Sequence, residues 1–310
     1  MSEYFKKINK YRKYINSFLK GKENAVDLVL LSMLTGGHII VEDIPGLGKT
    51  TLALVLAKSL KLTFGRIQGT NDLLPSDILG YNMYDKNKEA LKFIKGPIFN
   101  NVILFDEINR ASPKTQSALL EAMEERSVTL EGITYDLTLP FFVIATQNPY
   151  DEYGTYQLPE SEWDRFQMRL SIGYPSSQTE IEILKEGSLR DRIPEVKAIF
   201  DQKDLFEMQA LIDKEIYISD NIYEYILEIA NRTRQSEEIL VGLSTRACID
   251  VVKIAKARAF VMARDYVIPE DIVDLNCYTM VHRILFKDVL KIKDKELLLR
   301  KIIEEVKIPL

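Results

Sequence analysis

The chain has 310 residues, 46% of them apolar and 28% charged, enough to bury one large core or two medium ones. Lys and Arg total 41 against 46 Asp and Glu, and the net charge of −5 disfavours binding nucleic acid through global charge. Every apolar run is shorter than the roughly 18 to 20 residues of a membrane span, and Met1–Lys7 leads into a polar helix, so a cytoplasmic protein without membrane insertion is expected.

A polar helix is expected over residues 1–20, followed by Gly21-Lys22-Glu23, a candidate adenine contact. From Ala25 to Tyr174 short apolar runs (His38–Val41, Thr63–Gln68, Val102–Phe105, Phe141–Ala145 and Met168–Ile172) alternate with helical patterns. That rhythm predicts an α/β domain with a mainly parallel sheet flanked by helices. Between the first run and the helical Leu52–Ala57 lies Asp43-Ile44-Pro45-Gly46-Leu47-Gly48-Lys49-Thr50-Thr51. Gly46 and Gly48 let the backbone curl so that successive N–H groups point inward, Lys49 adds a positive charge, and Thr50 offers a hydroxyl to magnesium. The spacing fits the phosphate-loop pattern G-x-x-x-x-G-K-[ST], except that Asp43 stands at the first glycine. By itself the turn is also compatible with a structural Lys-Thr ending, so other segments must decide.

Two segments interrupt the rhythm as hairpins: Met83–Ile94, with Asp85-Lys86-Asn87-Lys88 in its middle, and Val128–Leu139, which alternates on both sides of Glu131-Gly132. Each is either surface decoration or a loop that touches a partner. Val102–Phe105 ends in Asp106 and Glu107, as expected of a buried strand opening onto a ligand crevice. Asp106 suits the hydration shell of magnesium, and Glu107 suits the activation of an attacking water. Asn148 follows the strand Phe141–Ala145 and suits either orientation of that water or turn formation with Pro149. Asn9-Lys10-Tyr11-Arg12 lacks the aspartate of a guanine selector, which favours ATP.

Arg165 and Arg246 are candidates for the positive charge that phosphoryl transfer needs at the γ-phosphate, although each also suits a surface ion pair. After Tyr174-Pro175-Ser176 the pattern becomes helical only: Ser177–Leu189, Asp204–Lys214, Ser219–Arg234, Ser244–Arg264 and Pro269–Ile284, with Ser219 and Ser244 as N-caps. A second, all-helical domain is expected. Cys248 and Cys277 lie apart in apolar settings and read as core residues, with no structural zinc.

With these segments in place the chain resembles the MoxR-type AAA+ ATPases from about Gly21 to His282. The similarity is densest in Gly96–Phe99, in Asp106–Met123 (DEINRASPKTQSALLEAM) and in Ala145–Pro149, and Ile67–Asp77 and Gly154–Glu160 add to it. Thr245 replaces the family's usual proline, and Trp163 replaces its usual aliphatic residue or glutamine. The resemblance implies a P-loop αβα sandwich over 21–175, with hairpin inserts at about 83–94 and 128–139, and a small helical lid over 176–310. It puts Asp43, Pro45, Gly46, Leu47, Gly48, Lys49, Thr50 and Thr51 in Walker A, Asp106 and Glu107 in Walker B, Asn148 at sensor 1 and Arg246 at sensor 2. Arg165 becomes the finger offered to a neighbouring subunit, and Thr50 and Asp106 the magnesium ligands. It further implies ATP and Mg2+ as cofactors, a hexameric ring, hairpins facing the pore or client, and a chaperone acting on a partner protein with a von Willebrand factor A domain. The rivals are a nucleic-acid-directed AAA+ motor, for which Lys86, Lys88, Lys92 and Lys95 are modest basic content, a nucleotide-gated scaffold, and a magnesium-chelatase-like ATPase subunit.

Overall fold

Ile8, Tyr11, Ile15 and Phe18 recur at three- and four-residue intervals, so a helix containing them presents one apolar stripe. The computed structural model describes residues 2–87, 89–150, 154–187, 192–288 and 291–309, and in it α1 (Ser2–Phe18) buries that stripe. Next come α2 (Glu23–Leu34), β1 (Ile39–Glu42), α3 (Lys49–Ser59), β2 (Phe64–Gln68), α4 (Pro75–Leu79) and a hairpin of β3 (Gly80–Asp85) and β4 (Ala90–Lys95). Then follow β5 (Val102–Asp106), α5 (Pro113–Glu125), a second hairpin of β6 (Ser127–Leu130) and β7 (Ile133–Asp136), β8 (Phe142–Gln147), α6 (Glu160–Trp163) and β9 (Met168–Leu170).

The sheet order is β2-β5-β8-β1-β9, and every neighbouring pair is parallel. Side chains alternate across a strand, so Val102 and Leu104 of β5 enter one core and Ile103 and Phe105 the other. The first core continues into α1 to α3 and the helices after residue 200; the second lies beneath α5 and the bases of the hairpins.

The second half contains α7 (Ser177–Glu186), α8 (Gln202–Glu215), α9 (Asp220–Gln235), β10 (Ile239–Val241), α10 (Thr245–Val261), α11 (Glu270–Val273), α12 (Asn276–Thr279), β11 (Leu285–Phe286) and α13 (Ile292–Glu304). Three expectations change here. Pro269–Ile284 is not one helix but α11, α12 and a 3-10 turn at Val281–Arg283. Asn276 Nδ2 donates to the Val273 carbonyl, a side-chain bond that competes with the helical ladder, whereas Thr279 Oγ1 shares the Leu275 carbonyl with its own N–H. The helical domain also carries a small antiparallel ribbon, β10 with β11, in runs too short to register as strands. Ser244 caps α10 by accepting the Ala247 N–H at 2.9 Å, whereas Ser219 occupies the cap position of α9 without a capping bond. Lys88 of the first hairpin turn and Leu189, the expected end of α7, lie outside the described residues.

The two halves are joined by Arg283, whose side chain is fully buried. Its guanidinium donates to Asp164 Oδ1 at 3.2 Å, Asp250 Oδ2 at 2.8 Å and the Phe166 carbonyl at 2.8 Å. Ser244 Oγ donates to Asp164 Oδ2 at 2.9 Å, and His282 Nε2 bonds the Phe166 carbonyl at 2.8 Å. The turn at Asp164–Gln167 is therefore gripped by residues from the second half.

His38 is a buried, neutral tie inside the first half. Its Nδ1 accepts the Val143 N–H at 3.0 Å, so Nε2 carries the proton and donates to the Met123 carbonyl at 3.2 Å. Burial pushes its pKa down to about 4. Between that value and the ordinary 6.5 the unfolded chain binds the extra proton, so stability falls as pH drops through this window. Urea titrations of wild type and His38→Gln at pH 7 and pH 5 should show the wild type losing about 2 kcal/mol more than the variant; equal losses would show that His38 is not held neutral.

Candidate active site

Because the strands are parallel, their C-terminal ends share one edge of the sheet, and the loop after β1 opens there. Gly46 has φ +91° and Gly48 φ +81°, the left-handed conformations that side chains disfavour. A Cβ on Gly48 would also lie 2.5 Å from Lys22 Nζ. The first turn of α3 has N–H groups without intrahelical partners, and with the helix dipole they make an anion site. Pro45 to Thr51 line one wall of a cavity of about 640 Å³, within the roughly 300–1,000 Å³ typical of small-molecule pockets. Lys49 Nζ donates to the Asp43 carbonyl at 2.7 Å, and Lys22 Nζ to that of Leu47. Burial pushes both ammonium pKa values down, opposed at Lys49 by Asp43, Asp106 and Glu107 and at Lys22 by Asp43.

Asp43 has a different task from the one expected of it. Its carboxylate is spent on the Ser171 hydroxyl at 2.8 Å and on the Ile172 N–H, and its side chain is buried below the loop. It fastens the exit of β9 to the base of the phosphate loop and contributes only its carbonyl to Lys49. This explains how a carboxylate is accommodated where the motif has glycine.

The opposite wall comes from β5 and β8. Asp106 is buried, with Oδ1 accepting the Thr146 hydroxyl at 3.1 Å and Oδ2 accepting Arg66 Nη2 at 2.8 Å and Nε at 3.1 Å. Glu107 has φ +56°, costly for a side-chain-bearing residue, and its N–H donates to Thr146 Oγ1 at 2.9 Å. Its carboxylate accepts Gln68 Nε2 at 3.0 Å and lies 3.3 Å from Arg110 Nε. This backbone turn is pressed against Gly69, where a Cβ would stand 2.1 Å from the Glu107 carbonyl oxygen. Asn148 lines the cavity, and its Oδ1 accepts the Tyr150 N–H at 3.2 Å, the turn-forming bond expected of it.

Arg66, Gln68 and Thr146 are the functional neighbours that sequence reasoning missed. The available signal was a pair of polar residues at alternate positions of β2, with Gln68 in register with Asp106. A triphosphate and its metal fit this donor set. Thr50 and Asp106 are hard oxygen donors of the kind magnesium takes, together with phosphate oxygens. Lys22, Pro175, Ile183 and Leu184 make the side of the cavity that suits a base.

The arginines are elsewhere. Arg165 precedes β9 and therefore stands at the N-terminal edge of the sheet, opposite the phosphate loop. Arg246, expected to reach the same cavity from the lid, joins Arg165 instead: both pair with Glu124 at the end of α5. Neither arginine lines the phosphate-loop cavity. The physical reason is the grip of Ser244, Asp250 and Arg283 on Asp164–Gln167, which ties the start of α10 to the far edge.

Comparison with known proteins agrees with this architecture. The family model for the ATPase family associated with various cellular activities (AAA) matches residues 38–168, and that for the AAA lid domain matches 231–302. The uncharacterized protein YeaC of Bacillus subtilis is 42% identical over 304 residues, covering 97% of this chain and 95% of that one. Chaperone MoxR1 of Mycobacterium tuberculosis is 34% identical, covering 95% and 80%. A crystal structure of a candidate ATPase from Cytophaga hutchinsonii superposes with a TM-score of 0.90 at 37% identity, covering 99% and 96%. With both halves of the fold matched and relatives of this similarity spanning nearly its full length, the chain belongs to the MoxR family of AAA+ ATPases.

Proposed function

We propose that the chain hydrolyses ATP at the cavity beside Lys49 only when a second copy offers Arg165 and Arg246 to it, within a ring that is hexameric. The observation that carries this reading is the separation of the two arginines from the phosphate loop by the length of the parallel sheet. In it, residues 21–175 are the nucleotide-holding core and 176–310 the lid.

Bound magnesium and ATP supply a charge-neutralised γ-phosphoryl group open to attack by water. Gly46 to Thr51 hold the phosphates through backbone N–H groups and the Lys49 ammonium, and Thr50 and Asp106 hold the metal. Glu107 takes the proton of the attacking water and Asn148 orients that water. Gln68 and Arg110 hold the Glu107 carboxylate until then.

The work of turnover is the assembly or activation of a partner protein in the cytoplasm, as a chaperone, and a von Willebrand factor A domain protein is the client class we favour. Two observations support a client surface on the hairpins. Tyr81, Met83, Tyr84 and Leu91 of the first hairpin are all about half exposed or more. The hairpins are also joined, by stacking of Phe93 on Tyr135 at 4.2 Å and by Asn82 Nδ2 donating to Glu131 at 2.8 Å, so they present one surface. The relative named Chaperone MoxR1 adds support by similarity.

Glu107→Gln should lower steady-state ATP turnover roughly 100-fold or more with ATP still bound; wild-type turnover would eliminate hydrolysis through this residue. The same variant held in ATP should retain a client on affinity capture, and recovery of the ring alone would count against a dedicated client. Gly69→Ala should cost roughly tenfold in turnover by pushing on the Glu107 backbone, with ATP affinity kept; an unaffected rate would show that this close contact does not set the position of Glu107.

A further inference from the structure

Glu124 stands in the last turn of α5, and its two carboxylate oxygens are divided between two arginines. Oε2 pairs with Arg165 Nη1, and Oε1 lies 3.2 Å from Arg246 Nη1. Arg165 is braced a second time by Glu162, Nε to Oε2 at 2.5 Å. Three separate elements thus meet at one carboxylate: the end of α5, the turn before β9 and the first turn of α10.

Two guanidiniums side by side repel each other. Burial first and the charge of Arg246 second push the Arg165 pKa below its ordinary value. A carboxylate that gives one oxygen to each offsets part of the repulsion and holds the two guanidiniums together. The side chains of Arg165, Glu124 and Arg246 are 26%, 39% and 44% exposed. Ion pairs this wet contribute little to stability, so the fold does not depend on the arrangement. A carboxylate holding two arginines through separate oxygens also presents them as a phosphate would require.

We propose that Glu124 is a positioning residue that holds Arg165 and Arg246 as a converged pair until the triphosphate of the adjoining subunit takes them over. The proposal rests on the reading above, in which both arginines serve a neighbour. Handover exchanges one anion for another at each guanidinium, so neither arginine passes through an uncompensated state.

The test is steady-state ATP turnover of the full chain against ATP concentration for Glu124→Ala, the isosteric Glu124→Gln, Arg165→Ala, Arg246→Ala and the Glu124→Ala/Arg246→Ala double variant. Glu124→Ala should lower kcat roughly tenfold with KM and thermal midpoint nearly unchanged, and Glu124→Gln should fall between it and wild type. The double variant should lose less than the product of the single losses, because Glu124 acts through the arginines. Wild-type kcat in both Glu124 variants, with the arginine variants impaired, would overturn the positioning role and leave the shared-site reading standing. A fully multiplicative double variant would overturn it too, because Glu124 would then act independently of Arg246. Undiminished turnover in Arg165→Ala and Arg246→Ala would overturn the shared site and this proposal with it.

Discussion

The parallel alignment of five strands is the constraint from which the rest follows. It collects the loop after β1, the acids at the end of β5 and Asn148 after β8 on one edge, and it sends Arg165, which precedes β9, to the other. In this structure the phosphate-loop cavity lies at one edge and Arg165 and Arg246 at the other, and neither arginine lines the cavity. Assembly is then a requirement of the chemistry on this account, and turnover becomes a property of an interface.

The buried Arg283 ties that arrangement to the second half of the chain. Its bonds to Asp164, Asp250 and the Phe166 carbonyl mean that the segment bearing Arg165 is mounted on the lid as firmly as on the sheet. Removing one partner of such a buried cluster leaves uncompensated charge, which is costly. The same lid contributes α7, whose Ile183 and Leu184 border the cavity on the nucleotide side. The second half thus borders the cavity through α7 and holds the arginine-bearing segment through Arg283.

The local parts of this site were legible in the sequence. Gly46 and Gly48 shape the turn through their backbone, Lys49 and Thr50 line the cavity from that same turn, and Asp106 and Glu107 lie at the end of an apolar run, so short-range pattern sufficed to place them. Strand positions followed from apolar runs and helices from three- and four-residue spacing. What escaped depends on contacts between distant segments. Asp43 stands where the motif has glycine, and its carboxylate is claimed by Ser171 and Ile172, some 130 residues away. Arg66 and Thr146 become visible only when register sets them beside Asp106. Arg246 was assigned to the nearer cavity because sequence carries no information on which edge of the sheet the lid grips. Pro269–Ile284 kept its apolar periodicity and still broke, at a point where the Asn276 side chain bonds the Val273 carbonyl.

The central claim, that phosphate loop and arginines act from different copies, is tested most directly by mixing two inactive proteins. Lys49→Ala removes the phosphate-holding lysine and keeps the arginines; Arg165→Ala/Arg246→Ala does the reverse. Each alone should be inactive, and an equal mixture allowed to exchange subunits should recover about a quarter of wild-type turnover, since about one interface in four then joins two intact halves. A mixture as inactive as its components, with assembly intact, would mean that both halves must come from one chain, contrary to this account.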